Sequence, residues 1–285
     1  MLTTTYQAAY DSFAKQRTKE GRKFVKKKEA AATDWTKLTD QMERLLRLKT
    51  SPVAYKRLEK VKELDKIPNV LRLDRKASFC QAPALARMGG MTVGLTRDNV
   101  GERCARISGL AATTKKQVSW EANAFATSWF ANVEEARKQM VVYPLVPPGE
   151  AIVVAPLGSV KFAPDVILIY GNPAQMMLLM NALQFKDYER FQFFFIGEGA
   201  CADSLAQCYT TGRPALAIPC MGERAFGTVT EDEMVMALPP RMMAKAVEGL
   251  QALRERRIGY PIMYLGPLCD PSVALTQIYP DWYSH

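Results

Sequence analysis

The chain is predicted to adopt an α+β fold: a mixed β-sheet with flanking helices, an internal strand–strand–helix duplication, and an N-terminal α-rich extension. Three observations predict it. Five short apolar runs, "AIVVAP", "VILIY", "FQFFF", "ALAIP" and "MVMAL", crowd the second half of the chain, each of strand length. Helical segments separate several of them, and two of those helices open with proline. The first quarter is polar, basic and of helical period.

Taken in order, Tyr6, Tyr10 and Phe13 fall at helical spacing. The run "KQRTKEGRKFVKKKEAAA" follows, an exposed basic helix or arm. Thr33 or Asp34 caps a helix that buries Leu38, Met42 and Leu45 and ends near Leu48. Pro52 stops that pattern, and "PVAYKRL" reads as a strand. Residues 79–88 read as a helix ended by Gly89 and Gly90, and "MTVGL" as a short strand. Ser119 is the expected cap of a helix whose Trp120, Phe125, Trp129 and Phe130 are expected in the core. Prolines 144, 147 and 148 mark a long turn or boundary. Asn172 caps a helix with Pro173 at its first position, and "PPRMMAKAVEGLQAL" repeats that arrangement. Pro173, Met176 and Met177 match Pro239, Met242 and Met243 at constant offset, which suggests the duplication. The expected organisation is an arm over 1–40 and a single domain over 41–285. That domain is α-rich over 41–150 and sheet-rich over 151–265.

At 285 residues, 48% hydrophobic and 24% charged, the composition is that of a globular protein with a sizeable core. No apolar run reaches the ~18–20 residues of a membrane span, and the first residues lack signal-peptide order, so a cytoplasmic protein with reduced thiols is expected. His285 is the one histidine. Its position argues against Ser-His or Cys-His catalysis and against mixed Cys/His zinc sites. Residues 1–75 hold 19 Lys+Arg and 10 Asp+Glu, whereas the other 210 hold 19 of each, so the net +9 sits in the first quarter. Such asymmetry predicts an acidic partner: another subunit, a second copy in a homo-oligomer, or a nucleic acid. No aromatic stacking set or nucleic-acid module accompanies the run, which favours a docking arm.

Five stretches, "LKTSPVAYKRL", "FCQAPALARMGG", "PDVILIYGNPAQMMLLMNAL", "PALAIPCMGERAFG" and "DEMVMALPPRMMAKAVEGL", resemble the domain of unknown function 169 family, also described as an archaeal conserved region. The resemblance covers about residues 45–255. It implies a shared fold and site, members in archaea and anaerobic bacteria, and no agreed activity. It also implies family cysteines at Cys80, Cys104 and Cys201. Ala105 and Arg106 stand where family members often carry a Gly-rich stretch.

Whether the six cysteines do chemistry or fill a core is the main functional question. No Cys-x-x-Cys pair exists, so zinc ribbons and thioredoxin-type motifs have no support. Cys201 follows a Gly-Glu-Gly turn at a helix start, which is expected to lower its pKa. Cys220 ends a strand. The two are predicted to share one rim of the sheet, with Cys80 near at least one of them. Cys80, Cys104, Cys201 and Cys220 are the candidate ligands of an iron–sulfur cluster or metal, which needs no histidine. Inert packing and an isolated reactive thiol are the competing readings. Cys208 and Cys269 read as structural. Glu198, Glu223 and Arg224 are candidate ligand-binding residues, with Arg224 offering a fork for a carboxylate or phosphate. The competing reading is a surface turn with a local ion pair. The Gly-rich stretch lacks both nucleotide-loop fingerprints. Glu231 and Glu233 are expected on one side of a strand, too local for a calcium or magnesium site.

Overall fold

The computed structural model describes residues 33–141, 144–270 and 272–273. The basic run 15–32 and His285, with the expectations attached to them, lie outside the described residues. Asp34 accepts the Lys37 N–H and starts α1 (Trp35–Leu46), and Arg47, in the left-handed region at φ 51°, ends it. Strand β1 (Val53–Leu58) follows, then β2 (Val70–Arg72), α2 (Gln81–Gly89) and β3 (Thr92–Thr96). Gly90, at φ 68°, closes α2 as its sequence predicts. Helices α3 (Glu102–Ile107), α4 (Lys115–Ala126) and α5 (Val133–Val141) come next. Thr114, not Ser119, caps α4, because Gln117 three positions on completes a capping box with it.

The second half runs β4 (Ala151–Pro156), β5 (Val166–Gly171), α6 (Pro173–Gln184), a π-helical turn (Ala202–Ala206) continuing as α7 (Gln207–Thr211), β6 (Ala215–Ala217), α8 (Met221–Ala225), β7 (Met234–Leu238) and α9 (Met243–Glu255). Asn172 and Gln175 cap α6 reciprocally, with Pro173 at the first helical position. Seven strands form one mixed sheet in the order β2-β3-β4-β1-β5-β7-β6. Only β2 and β3 pair in parallel; the other neighbours are antiparallel. The fold is α+β.

Alternation along the strands sorts side chains onto two cores. Val53, Tyr55, Val166, Leu168 and Tyr170 face a layer built from α2 to α5 and the π turn. Ala54, Ile167, Ile169 and Met236 face α1, α6 and α9. The sheet is therefore covered on both sides, which explains why its central strands are apolar at every position.

Four expectations are corrected. The sheet is not confined to 151–265: β1 lies at its centre, between β4 and β5. The run "FQFFF" is not a strand. Phe191 and Phe193 pack against the second core while Phe194 and Phe195 stay about half exposed, so the alternation is real but no neighbouring strand completes a ladder. Trp120 and Trp129 are exposed rather than core, and only Phe125 and Phe130 pack inward. Glu231 and Glu233 do not share a strand face. They sit in the turn before β7, where Glu233 is buried against Arg87 and Glu231 is exposed. As for the duplication, β4-β5-α6 and β6-β7-α9 share strand–strand–helix order, but α8 interrupts the second unit between its strands. The pairings differ: β1 separates β4 from β5, whereas β6 pairs directly with β7.

Candidate functional site

Strands β5 and β6 each run antiparallel to β7, so their carboxyl ends lie at the same edge of the sheet. Ligands of open sheets commonly bind at such ends. Here Tyr170 is the penultimate residue of β5, and the chain leaving β6 reaches Cys220 three residues later. Four helix starts meet this edge. Cys80 stands immediately before α2, Cys104 is in the first turn of α3, Cys201 precedes the π turn, and Cys220 precedes α8. Each of the four segments is short and Gly- or Ala-rich, which lets the backbones approach closely.

The cysteines are interlocked through one another's backbones. The Cys80 sulfur lies 3.3 Å from both Ser78 Oγ and the Gly222 carbonyl oxygen, so its single S–H can donate to either. The Phe79 N–H favours the Cys104 thiolate. The backbone N–H groups of Ala200 and Glu223 favour the Cys220 thiolate, a smaller effect than its burial. A Cβ placed on Gly222 would stand 3.8 Å from both the Cys80 and the Cys220 sulfur, so these two sulfurs are at most twice that distance apart. Gly227 is held against the same cluster: a Cβ there would lie 3.0 Å from Cys80 Cβ and 2.6 Å from the Glu223 carbonyl.

The electrostatics oppose a free thiolate. Burial pushes all four thiols up, and neighbouring negative groups add to it. Cys201 feels Cys104, Cys220, Cys80 and Glu223 in turn. Sequence leads to the opposite expectation for Cys201, since a helix start favours the thiolate. Desolvation outweighs that partial charge here. Glu223 is 3% exposed, and burial raises its pKa to about 7. The Tyr170 hydroxyl donates to its carboxylate at 3.5 Å. The Arg87 guanidinium lies 4.4 Å from the centre of the Tyr170 ring and acts on Glu223 in the favourable sense.

The structure thus brings together Cys80, Cys104, Cys201, Cys220 and Glu223. It separates Glu223 from Arg224: the carboxylate turns inward, while Arg224 turns outward and donates to the Thr230 carbonyl at 2.8 Å. The two do not form the local ion pair with each other that the competing reading expected. Glu198 lies on the solvent side of Cys220 and accepts the Met221 N–H at 3.2 Å. Cys208 is buried packing, as expected. Cys269 is exposed and so is not a packing residue. Tyr170 and Arg87 are site neighbours that sequence reasoning missed. Arg87 left a signal, as a charged residue in the otherwise apolar "APALARMGG"; Tyr170, at the end of an apolar strand, left none.

Among the described residues, no group of three or more His, Cys, Asp or Glu is arranged to hold a metal ion. Around one ion, thiolates at ~2.3 Å would bring their sulfurs within ~4.6 Å of each other. Two larger concavities, of about 560 and 490 Å³, are lined by charged and polar side chains around α1 and around the β2–β3 edge, and contain no cysteine. No helix among the described residues is long and apolar enough to cross a membrane.

The family model for domain of unknown function 169, described as uncharacterised ArCR, matches residues 41–249. The chain belongs to this family. All four clustered cysteines fall inside the matched region, and Cys269 falls outside it. An uncharacterised protein of Methanocaldococcus jannaschii is 33% identical over 128 residues, which is 44% of this chain and 55% of that relative. The chain thus matches about half the length of that curated relative. No solved structure matches the chain.

Proposed function

We propose that Cys80, Cys104, Cys201 and Cys220 hold an iron–sulfur cluster and that the chain serves a redox function through it. The observation that carries this reading is the convergence of four of the six cysteines, from four separate segments, at the carboxyl ends of β5 and β6. Four thiols whose pKa values desolvation raises, Cys80 buried and the others partly exposed, are a poor site for a lone thiolate nucleophile. Positive charge at their centre reverses that balance, because metal-bound thiols deprotonate. A cluster of several irons, with sulfide between them, takes thiolates at wider spacing than a single ion does. Backbone N–H groups that favour the Cys104 and Cys220 thiolates would tune a cluster's potential.

The test is anaerobic purification, with iron and acid-labile sulfide assayed before and after reconstitution with ferrous iron and sulfide. Both should be bound, lost on Cys201→Ser and on Cys220→Ser, and retained on Cys208→Ser. Protein that folds normally yet takes up neither iron nor sulfide on reconstitution refutes the reading.

A further inference from the structure

On the solvent side of Cys220 lies a cleft of about 380 Å³. Its walls come from distant parts of the chain: Trp129 beyond α4, Phe195 before the Gly-Glu-Gly turn, and Ile218, Cys220 and Met221 at the end of β6. Trp129, Phe195, Ile218 and Met221 keep 47, 49, 55 and 59% of their surface exposed. Four large apolar side chains left exposed around one concavity mark a binding surface, since scattered exposure would leave no shared hollow. The volume lies at the small end of the ~300–1,000 Å³ range of small-molecule sites. It suits a few fused rings and not a protein segment.

The polar groups of the cleft narrow the chemistry. Arg224 makes no ion pair among the described residues and gives one hydrogen bond, to Thr230, leaving guanidinium N–H groups for a ligand. Both carboxylates in the lining are turned to backbone: Glu198 accepts the Met221 N–H, and Asp203 accepts the Ile196 N–H with both oxygens. The lining therefore offers aromatic and aliphatic faces and one available cation.

We propose that this cleft binds a flat aromatic small molecule bearing an acidic group, its rings against Trp129, Phe195 and Ile218 and its acidic group on Arg224. The inference deepens the cluster reading by naming the class of molecule that comes up to Cys220. It rests on that reading for the redox role alone, because the binding itself needs no cluster.

The probe is 8-anilinonaphthalene-1-sulfonate, a fused aromatic with one sulfonate, titrated into the full chain and followed by its emission and by energy transfer from tryptophan. One saturable site is expected. Arg224→Gln should weaken it about tenfold, the loss of one charge-assisted hydrogen bond. Ile218→Glu should abolish it, with both variants keeping the wild-type thermal transition. Cys201→Ser should bind the dye like wild type while failing to take up iron, so failure of the cluster and failure of the cleft read out separately. Non-saturable adsorption, or an affinity unchanged in both cleft variants, overturns the proposal.

Discussion

Replacing Glu233 by Gln should destabilise the chain by about 3 kcal/mol, because it removes one half of a buried ion pair that ties α2 to the turn before β7. Arg87 and Glu233 face each other at 3.2 Å with side chains 2 and 5% exposed. The same guanidinium donates to Thr50 Oγ1 at 3.2 Å and to the carbonyls of Gly227 and Thr228 at 3.3 and 2.9 Å, while its Nε has no partner. Removing one partner of such a pair typically costs about 3–5 kcal/mol, mostly from the charge left behind. Glutamine keeps the shape and an acceptor, which places the value at the lower end. About 3 kcal/mol is roughly a hundredfold change in the folding equilibrium. Urea titration followed by far-ultraviolet circular dichroism measures it without the ionic screening of guanidinium. Arg87→Met with Glu233→Gln should cost less than the two single changes added, by about 1–3 kcal/mol. A single-variant loss under about 1 kcal/mol, or strict additivity, would refute the reasoning and leave the clamp without energetic weight.

Gly249→Ala should destabilise by about 2 kcal/mol despite the better helix propensity of alanine, worth about 1 kcal/mol. The new Cβ would stand 2.1 Å from the Ala182 carbonyl oxygen where α9 crosses α6, and only moving the helices apart relieves that. A raised urea midpoint would show that the crossing yields easily. Asp203 and Glu223 both have folded pKa values raised by burial, from 3.8 to about 7 and from 4.5 to about 7. The folded chain then holds more protons than the unfolded one across this window. The stability these two groups contribute is present below about pH 4 and is lost as pH rises to about 7. Asp203→Asn keeps an acceptor for the Ile196 N–H and removes one of the two groups. Its stability relative to wild type should therefore improve between about pH 4 and pH 8, and a pH-independent difference would contradict the assignment.

What the sequence determined by itself is local. The reciprocal cap of Asn172 and Gln175 with Pro173, the Asp34 cap of α1 and the Gly90 stop of α2 act over three or four residues, so they were legible without a fold. The apolar runs that became β1, β3, β4, β5, β6 and β7 were legible for the same reason. The tertiary structure decided everything that sums over distant neighbours. It put β1 in the middle of the sheet and left "FQFFF" without a partner strand, because pairing depends on which edge is open, not on alternation. It turned Glu223 inward and Arg224 outward, although adjacent residues in a sequence look alike in access. At the cysteines, positions at segment ends and the family resemblance nominated the four residues, although their spacing did not. Their electrostatic state was not legible, because a helix start is visible in sequence whereas desolvation is the work of segments up to about 140 residues away. Cys80 bonded to Gly222 is the clearest case: the contact spans 142 residues, and no local pattern reports it.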